Sequence, residues 1–114
     1  MFGANNLDKI SKLGQKGKSS KLLPYTKSKN AEERAAAASA LSGAKDDDSY
    51  NALIVLLRDA EPSVCINAAN SLKIIGRISA VEHLRNVASK ASNAEIVEAC
   101  NNAAGSLASG SKHI

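Results

Sequence analysis

The chain has 114 residues, 44% of them apolar, a net charge of +4, and only Phe2, Tyr25 and Tyr50 as aromatics. That length and content suit one domain with a modest core of Leu, Ile, Val and Ala. They exclude a disulfide framework, since Cys65 and Cys100 are the only cysteines, and a spanning helix, which needs about 20 consecutive apolar residues.

The N-terminal end is expected to open on a loose segment, Met1 to Ala4. Leu7, Ile10 and Leu13 then recur at threes between polar residues, which predicts a short amphipathic helix from about Asn6 to Gly14, within a cap of about 5–15. Asn5 or Asn6 is its expected N-cap. Gly14–Ser20 reads as a turn. A leading helix follows over about Ser20–Lys27, and Pro24 inside it predicts a kink or a late start, because proline lacks the N–H and crowds the preceding turn.

Asn30 opens the next helix, with Glu33 three residues on as in a capping box, and Gly43 ends it. Ala44–Asp48 is a loop. Helices are expected over about Asp48–Asp59 and Pro62–Ile75, the second with proline in its first turn and Gly76 as its left-handed stop. Leu53–Leu57 alone could be a buried strand, but its helical neighbours favour helix. Two more helices are expected over about Ser79–Ala91 and Ala94–Ala108, with Asn93 as a cap and a frayed polar tail at 109–114.

These elements repeat. Glu61–Ile75 moved back by 31 residues falls on Asn30–Ala44, pairing Ala68 with Ala37 and Leu72 with Leu41. Moved forward by 32 it falls on Asn93–Leu107, pairing Val64 with Ile96 and Ala68 with Cys100. Leu22, Leu53 and Leu84 stand 31 apart in the preceding helices. Two amphipathic helices per period make a hairpin that must stack on its neighbours to bury its apolar faces. Repeats are placed at about 18–43, 47–76 and 78–108, with the N-terminal helix as the cap.

A leucine-rich first helix, a short polar turn, then Glu61-Pro62-x-Val64-x-x-x-Ala68-Ala69-x-x-Leu72 resembles HEAT repeats, and most closely the short prokaryotic kind related to phycobilisome lyases. The resemblance covers about Lys21 to Leu107. It implies an all-α superhelix, a HEAT-like solenoid of about three helical hairpins, whose second helices line the concave surface. Members of the family often carry Asp at the turn and Arg four residues later. Here Asn30, Glu61 and Asn93 hold the turn, and the arginine is kept only at Arg34, with Cys65 and Val97 in its later places. An inter-repeat Asp–Arg ladder is therefore not carried over.

Little in the chain suggests catalysis. Asp46–Asp48 lacks the spacing, the glycine and the distal glutamate of a calcium loop, and suits a helix N-terminus instead. Cys100 takes a core alanine position, and Cys65 flanks the core. His83 and His113 are poorly placed to act as a base for either thiol. Glycine-rich phosphate loops and hydrolase motifs are absent, and Gly105 is assigned to close helix packing. No cofactor or metal is expected.

The reading is a non-enzymatic, monomeric, cytoplasmic scaffold with reduced thiols, binding a protein partner that the sequence does not identify. Its candidate site is the ridge opposite the core on the second helices: Ser39, with Ala35 and Ser42, then Ile66, Asn70 and Lys73, then Glu98 and Asn102, with Gly105. The alternative is an acidic partner such as nucleic acid. Residues 1–30 carry seven lysines against Asp8, a net +6, with Lys9, Lys12, Lys16, Lys18 and Lys21 as the basic patch. No aromatics are interleaved there for base stacking. A third role, implied by the resemblance, is accessory to bilin attachment, for which the chain shows no tetrapyrrole pocket.

Overall fold

A computed structural model describes residues 2–110. Its elements are α1 (Phe2–Gln15), α2 (Ser19–Leu22) running into a 3-10 turn (Leu23–Lys27), α3 (Ala31–Ala40) with a 3-10 end (Leu41–Gly43), α4 (Asp47–Leu56), α5 (Pro62–Ile75), α6 (Ala80–Lys90) and α7 (Ala94–Gly110). No strand occurs among the described residues, and Leu53–Leu56 lies inside α4. The fold is all-α, as the periodicity predicts.

The helices form two layers. α1, α3, α5 and α7 lie side by side in that order, each packed on the next. The 3-10 turn, α4 and α6 pack on α3, α5 and α7 respectively, forming the other layer. The slab measures 42 × 34 × 17 Å, about two helix diameters thick. Between the layers lie Leu22, Leu41, Leu53, Leu57, Val64, Leu72 and Leu84, all essentially buried. Ala38, Ala68, Ala69, Ala103 and Ala104 belong to the same core. Small side chains let neighbouring second helices approach closely. They also leave room for two crossings between α5 and α3: the Ser71 hydroxyl donates to the Ala38 carbonyl at 2.6 Å and the Asn67 amide to the Ala35 carbonyl at 3.0 Å.

Local signals account for most boundaries. Pro24 sits in the second residue of the 3-10 turn, so the first leading helix breaks after one α-turn. Asn30 accepts from the Glu32 and Glu33 N–H groups, and Asn93 from those of Glu95 and Ile96. Asp46 caps α4, accepting from the Ser49 N–H at 3.0 Å. Burial pushes the Asp46 carboxyl up, but the Ser49 N–H and hydroxyl and the Ser19 hydroxyl outweigh it and hold it below its usual range. Gly76 ends α5 at φ +85°, a left-handed conformation that favours glycine.

Several expectations fail for identifiable reasons. Phe2–Ala4 is helical rather than loose, while Met1 lies outside the described residues. Neither Asn5 nor Asn6 caps α1, since both sit within it. The Asn6 amide instead donates to Glu33 Oε2 at 2.7 Å, and Ser28 donates to Glu33 Oε1 at 2.6 Å. Glu33 thus ties α1 to α3 in place of completing a capping box; the Asn30 N–H goes to Ser28 Oγ. The Ser28 hydroxyl, then the Asn6 amide, hold the Glu33 carboxyl below its usual range. At the far end α7 continues through Ser109 and Gly110, and 111–114 lie outside the described residues.

The glycine assignments are reversed. A Cβ at Gly105 would meet nothing within 4 Å, whereas one at Gly14 would lie 2.8 Å from Ala40 Cβ. Gly14 is the close-packing glycine, and it brings the end of α1 onto the end of α3. With Asn6 beside Glu33, α1 therefore runs parallel to α3. It occupies the place of a second helix in the layer.

Candidate functional site

On α5 the buried side chains Val64, Cys65, Ala68, Ala69, Ser71 and Leu72 define one side. At 100° per residue the opposite arc holds Ile66, Asn70 and Lys73, and also Ile74. Asn70 and Lys73 are exposed, Ile66 is half-buried, and Ile74 is 67% exposed. On α3, Ser39 is exposed; on α7, Glu98 and Asn102 are exposed. Because α3, α5 and α7 pack side by side in repeat register, these positions fall on corresponding arcs of adjacent helices. Two other ridge positions differ. Ala35 is buried in the core with its carbonyl taken by Asn67, and Ser42 is half-buried in the 3-10 end of α3. An unforeseen groove of about 490 Å³ runs between α1 and α3, lined by Leu7, Ser11, Gly14, Ala36, Ser39 and Ala40 among others.

Ile74 was legible in principle: it stands eight residues after Ile66 and four after Asn70, hence on the same arc. Val55 (72% exposed, on α4) and Ile78 (54%, after Gly76) are the other large exposed apolar side chains among the described residues.

Lys9, Lys12 and Lys16 line one shallow groove of about 320 Å³ with Asp8 and Leu13. Lys12 pairs with Asp8 at 3.2 Å, both well exposed, a pair worth little in water. Lys18 and Lys21 are exposed on the following turn and on α2. Ile10 of α1 faces the core, so the apolar side of this helix is already engaged.

The thiols are structural. Cys65 Sγ donates to the Asp59 carbonyl at 2.9 Å, and burial, then the Asp59 charge, push its pKa up. Cys100 is fully buried, and burial, then the neighbouring Cys65, push it up to about 11. Thiols react as thiolates, so both are suppressed nucleophiles at neutral pH. Iodoacetamide should leave Cys100 unmodified in the native protein and label it only after denaturation. Equal labelling rates in the two states, read by mass spectrometry, would contradict its burial. His83 is exposed on α6, and His113 lies outside the described residues. Among the described residues no three His, Cys, Asp or Glu side chains gather as metal ligands, and no helix is long and apolar enough to cross a membrane.

One inter-repeat rung does form. Arg34 Nε donates to Asp59 Oδ2 at 2.8 Å and Nη2 to Oδ1 at 3.0 Å, a bidentate pair between the first and second hairpins. Nη1 also donates to the Ser28 carbonyl at 2.9 Å. Burial pushes the Asp59 carboxyl up, but Arg34 and the Glu61 N–H hold it below its usual range. The acid lies two residues before the turn position, outside the motif.

A family model for HEAT repeats matches residues 19–105, from the start of α2 into the last helix. No curated protein matches the chain.

Proposed function

Because this chain belongs to the HEAT-repeat family, we propose that it is a protein-interaction scaffold that receives its partner on the strip of second-helix side chains Ser39, Ile66, Asn70, Lys73, Glu98 and Asn102. The observation that carries this reading is Ile74. A large apolar side chain, 67% exposed, continues the arc of Ile66, Asn70 and Lys73 on the central helix. Interfaces combine such apolar contacts with a polar rim, and their central residues carry most of the energy.

The basic α1 face supports the second reading, an acidic partner such as nucleic acid, through Lys9, Lys12 and Lys16 along one groove. Salt separates the two. Binding through phosphates weakens steeply as salt rises, and a nearly neutral strip responds much less.

Asn70→Ala combined with Lys73→Glu should change unfolding stability by no more than about 0.5 kcal/mol, as exposed substitutions do. The same pair should weaken capture of the partner from native lysate after nuclease treatment. Replacing Lys9, Lys12, Lys16 and Lys18 by Gln should leave that capture intact. Full capture by the strip variant together with loss in the lysine variant would transfer the function to the basic face.

A further inference from the structure

The rung between the first two hairpins has a counterpart that is not built. By the 31-residue repeat, Cys65 takes the place of Arg34, Asp59 that of Ser28, and Lys90 that of Asp59. Part of the contact survives: Arg34 donates to the Ser28 carbonyl, and Cys65 donates to the equivalent Asp59 carbonyl. The rest is lost. A thiol is too short to reach the next hairpin, and the position that should offer a carboxylate offers an ammonium group. Where Arg34 fills the first junction, the second is left with an open notch of about 270 Å³.

The chemistry of this notch is one-sided. Its floor is apolar, from Leu57, Val87 and Ile96. Its rim carries Arg58 and Lys90, both exposed, and neither makes an ion pair among the described residues. Arg58 spends one N–H on Asn86 Oδ1 at 3.1 Å and keeps its others. The acid that also lines the notch, Asp59, is already occupied on both oxygens by Arg34 and the Glu61 N–H. An apolar floor beside two cations without a counter-charge is complementary to an apolar group that bears a carboxylate.

We propose that this notch receives the C-terminal residue of a protein partner, its side chain on Leu57, Val87 and Ile96 and its terminal carboxylate between Arg58 and Lys90. The α-carboxylate and an apolar side chain sit on the same residue only at a chain end; an Asp or Glu side chain brings the charge without the apolar body. The notch is also small and open to one side. It suits the end of a larger docked body better than a free acid, which would gain too little to offset its lost freedom. The inference rests on the scaffold reading but not on the strip.

The test uses the full chain and a short N-acetylated peptide ending in Ala-Leu with a free carboxylate. Saturable NMR shifts are expected at Leu57, Val87 and Ile96 at millimolar peptide. The same peptide with a C-terminal amide should bind about tenfold more weakly or worse, the loss of one charge-assisted contact. Arg58→Gln with Lys90→Gln should lose the acid peptide to a similar degree while the rest of the spectrum is unchanged. Asn70→Ala with Lys73→Glu should not alter peptide binding, so a failed strip leaves this result readable. No saturable shift, equal binding of acid and amide, or unimpaired binding by the Arg58/Lys90 variant would each overturn the proposal.

Discussion

Leu72→Ala should destabilise the protein by about 2–5 kcal/mol, the range for buried leucines in well-packed cores. Leu72 is fully buried on α5, the helix flanked by α3 on one side and α7 on the other. In a stacked array, stability is roughly the sum of unit and nearest-neighbour terms. A cavity in the central unit therefore weakens two interfaces at once. The loss is large against the total of about 5–15 kcal/mol that a domain commands. Denaturant unfolding should show the midpoint falling with little change in slope. Leu53 and Leu84, also fully buried and equivalent by repeat, should behave alike. A loss under about 0.5 kcal/mol at Leu72, the size of a surface change, would mean that α5 presents a different face to the core.

Ala68→Leu should destabilise by about 1–3 kcal/mol, through overpacking rather than a cavity. Ala68 is fully buried on α5, in the layer where α3, α5 and α7 pack through alanines. Ala68 has no exposure to solvent, so the added carbons must displace neighbouring core groups, the second helices among them. That strains the Ser71–Ala38 and Asn67–Ala35 crossings, whose geometry depends on the spacing of α3 and α5. The bulky variant should lose stability while gaining apolar surface. A stabilised Ala68→Leu protein in the same denaturant titration would mean that the layer is loosely packed there.

Much of the architecture was readable because one local rule recurs. The 31- and 32-residue shifts align Asn30, Glu61 and Asn93 at helix entries, and Gly76 and Pro24 act through backbone conformation alone. What the sequence hid involves pairs far apart in the chain with no periodic signature. Glu33 resembles a capping-box partner of Asn30, but α1 supplies the Asn6 amide from 27 residues away. The Arg34 rung does not follow from the motif, because its acid, Asp59, lies outside it. Gly14 and Gly105 are alike in sequence, and only the neighbouring helix tells them apart. On the strip, five of the six candidate side chains are exposed and Ile66 is half-buried, as a helical arc predicts. Ile74, one residue past Lys73, extends the same arc. The notch at the second junction was hidden because it depends on what is missing from a pattern.

The position of α1 beside α3 bears on how the stack comes apart. Among the described side chains of α1, Ile10 is the one large side chain that is fully buried, and the helix is fastened by the Asn6–Glu33 bond and the Gly14–Ala40 contact. Held by so few contacts, it is expected to lift away while the three hairpins behind it keep their core. Opening such a unit requires less free energy than global unfolding, so in native-state hydrogen exchange the amides of α1 should exchange ahead of those of α5. Each lifting uncovers the outer side of α3 for a moment. The helix that carries Lys9 and Lys12 is thus also the one expected to open first.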